Sequence, residues 1–274
     1  MPTSIFRQLV FAVFSVSSLS AATIGPDAFG YTASNVPFNF VNIASTGTRI
    51  LGNDDDISQS VGIGFNFGFY GTTQTSAFVS SNGMLAFGTS INALSARNLA
   101  TTTPGPNVPV IAVLWDDWTT VKGKYPASDA VYTQTVGTPG SQQFIVQWNN
   151  TFGCCPTGTQ PLVFQAILFE GSGNILLQYQ QVLSGVGVQS NPGDNGDNGS
   201  SAGVGIRDIN GHLNGRNLQW SYAPGTAMIP NNSAILFSTS TAVPEPSTFL
   251  LFGLGGAALL LARKRRRKRQ GWLC

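Results

Sequence analysis

Apolar residues alternate with polar or glycine positions along much of the chain. Val61-Gly62-Ile63-Gly64-Phe65-Asn66-Phe67-Gly68-Phe69-Tyr70 places Val61, Ile63, Phe65, Phe67 and Phe69 on one side of an extended backbone, because successive side chains of a strand point to opposite faces. Phe144-Ile145-Val146-Gln147-Trp148 and the run from Val163 to Phe169 are denser in apolar residues and read as buried strands. Ser81-Asn82-Gly83 separates Ala77-Phe78-Val79 from Met84-Leu85-Ala86-Phe87, and Asn-Gly supplies the positive φ angles that a tight hairpin needs. Gly171-Ser172-Gly173-Asn174 joins Phe169 to Ile175-Leu176-Leu177-Gln178-Tyr179 in the same way. No window of helix length carries a 3.6-residue apolar period. The pattern predicts an all-β protein, a single jelly-roll-like β-sandwich of about 10–12 strands. No internal repeat is present, which disfavours a solenoid or propeller.

The two ends break the alternation. Near the N-terminus one basic residue, Arg7, precedes a mostly apolar stretch from Leu9 to Val16 and the small residues Ser20-Ala21-Ala22. That order predicts a secretory signal peptide over residues 1–22 and export by the secretion machinery. At the C-terminus, Pro244-Glu245-Pro246 precedes an apolar run over 249–262 and the basic cluster Arg263, Lys264, Arg265, Arg266, Arg267, Lys268 and Arg269. As a helix, that apolar run spans about 21 Å, short of the roughly 30 Å hydrocarbon core. The basic cluster favours the cytoplasmic side, so the domain between the ends, residues 23–240, lies outside.

The ends also hide the charge of that domain. The chain carries 14 Lys and Arg against 12 Asp and Glu, but residues 23–243 hold six basic and eleven acidic side chains, a net charge of −5. Nucleic-acid binding needs a basic face on the exported part, and no nucleic-acid partner is expected.

Two resemblances follow. Residues 241–274, with the Pro244-Glu245-Pro246 box, the apolar run and the basic cluster in that order, resemble the PEP-CTERM sorting signal of Gram-negative bacteria. The resemblance implies an exosortase-type transpeptidase as partner and a transient stay in the inner membrane through the apolar helix. Release, or attachment to the envelope or to exopolysaccharide, would follow cleavage near the box. A permanent single-pass anchor is the alternative. The succession Phe65 to Gly71, Val79 to Gly88, Ile111 to Asp117 and Val131-Tyr132 is similar to the nidogen-like extracellular domain. That likeness covers about residues 36–182 and implies an interaction or matrix module without catalytic residues.

Candidate chemistry is sparse. The single histidine, His212, sits in a turn-like stretch, so zinc sites of the common kind and a Ser-His-Asp triad are both disfavoured. Asp116 and Asp117 flank a strand end, where neighbouring carboxylates point to opposite faces and make a poor acid/base pair; one is expected to cap a turn and the other to be solvated. Asp54, Asp55 and Asp56 concentrate three carboxylates in a candidate calcium loop, and Asp194-Asn195-Gly196-Asp197-Asn198-Gly199 resembles the start of another. Apart from calcium, no cofactor is expected. Cys154 and Cys155 are adjacent; in an oxidising compartment they would form a strained vicinal disulfide or cross-link to a partner. Three functions stay open. The leading one is a non-enzymatic structural or adhesive protein of envelope, biofilm or exopolysaccharide. The others are a carbohydrate-binding module using some of Trp115, Trp118, Trp148 and Trp220, and a secreted hydrolase.

Overall fold

The computed structural model describes residues 23–91, 98–101, 107–121, 129–154, 159–191, 193–222, 225–226 and 228–239. The signal peptide, Cys155 and the whole C-terminal motif lie outside the described residues. In chain order the strands are β1 (Thr23–Ile24), β2 (Tyr31–Val36), β3 (Thr48–Leu51), β4 (Ser58–Phe69), β5 (Thr72–Ser80), β6 (Met84–Ala86), β7 (Val110–Trp115) and β8 (Trp118–Thr119). They continue as β9 (Ala130–Val136), β10 (Gln143–Gly153), β11 (Leu162–Phe169), β12 (Ile175–Gln181), β13 (Gly203–Arg207), β14 (Asn217–Ser221) and β15 (Ser233–Thr239). These fifteen exceed the number expected because β1, β6 and β8 are only two or three residues long, too short for alternation to register.

Among the described residues the strand pairings are all antiparallel and form two sheets. One runs β1-β2-β15-β12-β11-β10-β9-β3, with β8 attached to β10, and the other runs β14-β13-β7-β6-β5-β4. Consecutive hairpins dominate both, and β2 pairs with β15 to bring the ends of the domain together. The alternation in β4 is as the sequence predicts: Ile63, Phe65, Phe67 and Phe69 are buried, while Gly62, Gly64, Asn66 and Gly68 face solvent. Those buried rings meet Trp148, Phe164, Tyr179 and Phe237 of the opposite sheet in one core.

Aromatic tips cross between the layers. Trp148 Nε1 donates to Ser80 O at 2.9 Å, and the Tyr179 hydroxyl donates to Val113 O at 2.7 Å. A buried indole or phenol needs such a partner, so these bonds fix how the sheets are aligned. Complete burial also pushes the Tyr179 phenol well above its ordinary value.

The outer faces are covered as well, which is why both sheets carry near-continuous apolar strands. Val110, Ala112 and Trp115 on the outer side of β7 pack with Met84, Ala86, Ile91 and Leu99. On the other sheet, Gln147, Gln165 and Gln178 stand opposite one another on β10, β11 and β12 and are fully buried. They hold an extended segment laid across the strands. Gln178 accepts from Asn39 N at 2.8 Å and donates to Asn39 O at 2.9 Å, and Gln147 accepts from Ile43 N at 2.7 Å. Between them, the Gln165 amide in its satisfied orientation donates to Val41 O at 3.1 Å and accepts from Val41 N at 3.0 Å. Three side-chain amides thus replace the neighbouring strand that this segment lacks.

Candidate functional site

The turn between β7 and β8 organises the most polar interior region. It is built on the predicted Asn82-Gly83 turn: Gly83 has φ +76°, and Gly83 O accepts from Val113 N at 2.9 Å. Asn82 is completely buried. Its Oδ1 accepts from Trp118 N at 2.9 Å and its Nδ2 donates to Asp56 Oδ1 at 3.0 Å. One amide therefore ties the hairpin, the Asp116-Asp117 turn and the acidic loop together.

Asp116 lies inside rather than at the surface. It is fully buried, and its Oδ1 accepts from Asp117 N at 3.0 Å while its Oδ2 accepts from Ser201 Oγ at 2.5 Å. Burial pushes its carboxyl up to about 7, against the opposing pull of the Ser201 hydroxyl and of the Asp117 and Gly193 N–H groups. Asp116 thus caps a turn, as expected of one member of the pair. Asp117 is half-buried rather than solvated and lines a pocket of about 340 Å³ with Cys154, Gly193, Asp194 and Asn195.

The acidic loop divides its labour. Asp54 Oδ2 accepts from Gly52 N, and its backbone is tied to Thr120 through Asp54 N–Thr120 Oγ1 at 3.0 Å and Thr120 N–Asp54 O at 3.0 Å. Asp56 is engaged by Asn82. Only Asp55, bridged to Thr119, turns toward the pocket region, where its Oδ2 accepts from Cys154 Sγ at 3.5 Å. The three consecutive carboxylates therefore do not converge on one point. Asp55 converges instead with Asp117 and Cys154, whose ligand atoms all lie within 4.8 Å of one another.

A bulge delivers the cysteine. Asn150 adopts φ +53°, and the registers of β10 shift between Asn149 and Thr151. Beyond that point β10 pairs with β8 instead of β9, and Cys154 N donates to Asp117 O at 2.9 Å. Asn195, from the second acidic loop, closes the far side: its Nδ2 donates to Cys154 O at 3.2 Å. In the same loop, Gly196 N donates to Ser201 Oγ at 2.6 Å. The sequence places Asn82 in a hairpin turn and Asn195 in the second acidic loop without pointing to these contacts, and Ser201 carries no spacing signal at all. Among the described residues the tryptophans form no exposed row, since Trp115, Trp118 and Trp148 are fully buried and Trp220 is half-buried against the core.

A second pocket, of about 240 Å³, is lined by Phe29, Tyr31, Tyr70 and Asn66 among others. Its aromatic wall is occupied structurally. Arg216 lies 4.9 Å over Phe29 and 5.4 Å over Tyr70 and pairs with Asp208 at 3.0 Å. The Tyr70 hydroxyl donates to Asp27 Oδ2 at 2.7 Å. These contacts staple the N-terminal segment to the β13–β14 hairpin.

Comparison with known proteins adds two matches. Residues 242–267 match the PEP-CTERM protein-sorting motif, which includes the Pro244-Glu245-Pro246 box and marks an exported protein for exosortase-type sorting to the cell envelope or surface. Residues 30–250 match the NIDO-related model, extending the nidogen-like resemblance seen over 36–182 through β13, β14 and β15. No curated protein and no solved structure matches the chain. With its sandwich spanned by that match almost from end to end, the chain belongs to the NIDO-related family.

Proposed function

We propose that the exported domain is a non-enzymatic structural or adhesive component of the bacterial envelope, held in or on its extracellular polysaccharide or biofilm matrix. The observation that carries this reading is the pairing of a NIDO-related sandwich with a PEP-CTERM motif in one chain. Burial of Trp115, Trp118 and Trp148 leaves the half-buried Trp220 as the one partly accessible member of the four candidate stacking tryptophans, which disfavours a carbohydrate-binding module. A hydrolase fits poorly too. Asp116 is sealed inside, and the Asp55 and Asp117 carboxylates share their space with a thiol within 4.8 Å. A retaining glycosidase needs two carboxyls about 5–5.5 Å apart across an open cleft.

The test is intact-mass analysis of the native protein from envelope and culture medium, joined to co-sedimentation with the producer's own purified exopolysaccharide. The expected result is a species ending at or before Pro246 that sediments with envelope or polysaccharide and leaves the polysaccharide uncut. A membrane species retaining Arg263–Arg269 would overturn the sorting step. Release of oligosaccharides would overturn the non-enzymatic reading.

A further inference from the structure

The geometry points to a divalent-metal site of the borderline-soft, zinc-binding class formed by Asp55, Asp117 and Cys154, with the Asn195 side chain in the wall beside it. Four segments distant in sequence meet here: the acidic loop, the β7–β8 turn, the end of β10 beyond its bulge, and the 194–199 loop. Asp55 Oδ2 and Cys154 Sγ are 3.5 Å apart. The edge between a sulfur and an oxygen on a tetrahedral zinc, with bonds near 2.3 and 2.0 Å, is also about 3.5 Å. A carboxylate oxygen of Asp117 lies within 4.8 Å of the ligand atoms of the other two, so the three donors already stand close to the roughly 3.3–3.5 Å edges of a tetrahedral zinc site.

A second observation points the same way. Asn195 is 2% exposed, and its Oδ1 has no hydrogen-bond partner among the described residues. A buried amide oxygen left unpaired is costly, because it has lost its hydrogen bonds to water without gaining others. Asn195 lines the same pocket as Asp117 and Cys154, where a ligand or a metal-bound water gives that oxygen a partner. Three protein ligands beside an open pocket match a zinc site that keeps a further coordination position. The donor set decides the metal class: calcium and magnesium take oxygen, whereas a thiolate with carboxylates selects zinc-like ions.

The test uses the full chain, purified in detergent, stripped with EDTA and kept reduced, with cobalt(II) as probe and zinc as competitor. One equivalent of cobalt is expected to bind with a thiolate-to-metal charge-transfer band and tetrahedral d–d bands, and zinc is expected to displace it. Cys154→Ser should abolish the charge-transfer band and Cys155→Ser should leave it. Asp55→Asn and Asp117→Asn should weaken binding about tenfold or more, with Asp54→Asn unchanged, and near-ultraviolet circular dichroism establishes that each variant is folded. Absence of cobalt binding by reduced wild type, a charge-transfer band that survives Cys154→Ser, or binding of calcium alone would each overturn the site. A Cys154–Cys155 disulfide in the native exported protein would do the same.

Discussion

Replacing Gly83 with alanine tests the turn on which the whole site is mounted. Two separate costs apply. Gly83 sits at φ +76°, where an L-residue costs about 1–2 kcal/mol. A Cβ there would also lie 2.2 Å from Leu114 O and 2.8 Å from Leu114 C. Both are backbone atoms, and Leu114 O already accepts from Trp118 Nε1 at 2.6 Å. Forcing them aside is overpacking, worth about 1–3 kcal/mol. Gly140 provides the control, because its φ is +93° but a Cβ would meet nothing within 4 Å. The expected destabilisation is therefore about 2–5 kcal/mol for Gly83→Ala and about 1–2 kcal/mol for Gly140→Ala. With a urea m-value of about 2–3 kcal/mol/M, the midpoint should fall by roughly 1–2 M in the first variant and roughly 0.5 M in the second. Equal shifts would refute the argument, since they would mean that φ alone sets the cost and that Leu114 does not crowd the turn.

Asp116 predicts a pH dependence of stability. Its carboxyl is raised to about 7 from 3.8, chiefly by burial, so between those values the folded state holds a proton that the unfolded chain has released. The contribution is fully present below the unfolded value and is lost as pH rises through about 7, with a slope of at most about 1.4 kcal/mol per pH unit. Urea midpoints at pH 5, 6, 7 and 8 in EDTA should fall with pH more steeply for wild type than for Asp116→Asn; equal slopes contradict the assignment. Gln165→Leu removes both bonds to Val41 and should cost about 1–3 kcal/mol. Hydrogen exchange at the Val41 amide should accelerate while the amides of β11 keep their protection, and an unchanged Val41 rate would count against the ladder.

The sandwich was legible wherever a local rule operates. Alternation in β4 predicted its buried face, and Asn82-Gly83 and Gly171-Ser172-Gly173-Asn174 predicted turns that the structure contains. The glutamine ladder was not legible, because Gln147, Gln165 and Gln178 each sit alone within an apolar run and acquire meaning only from cross-strand register. Asp116 shows the same limit from another side: its neighbour's N–H, the Ser201 hydroxyl and the Gly193 N–H make burial tolerable, and two of the three come from the region around residues 193–201.

Three consecutive carboxylates suggest one hard-cation site, yet the fold sends them in three directions. Asp54 secures its own loop and Asp56 the Asn82 amide, so neither is free to turn toward a common ion without unpairing a backbone or side-chain donor. Asp55 is left to join a thiol and a carboxylate from two other segments. Local composition thus pointed to the segment that holds Asp55, while the bulge at Asn150 and the bridge from Asp55 to Thr119 determine its neighbours. The exchange of companions changes the chemistry, because replacing two carboxylates by Cys154 Sγ and Asp117 moves the donor set from calcium toward zinc-like ions.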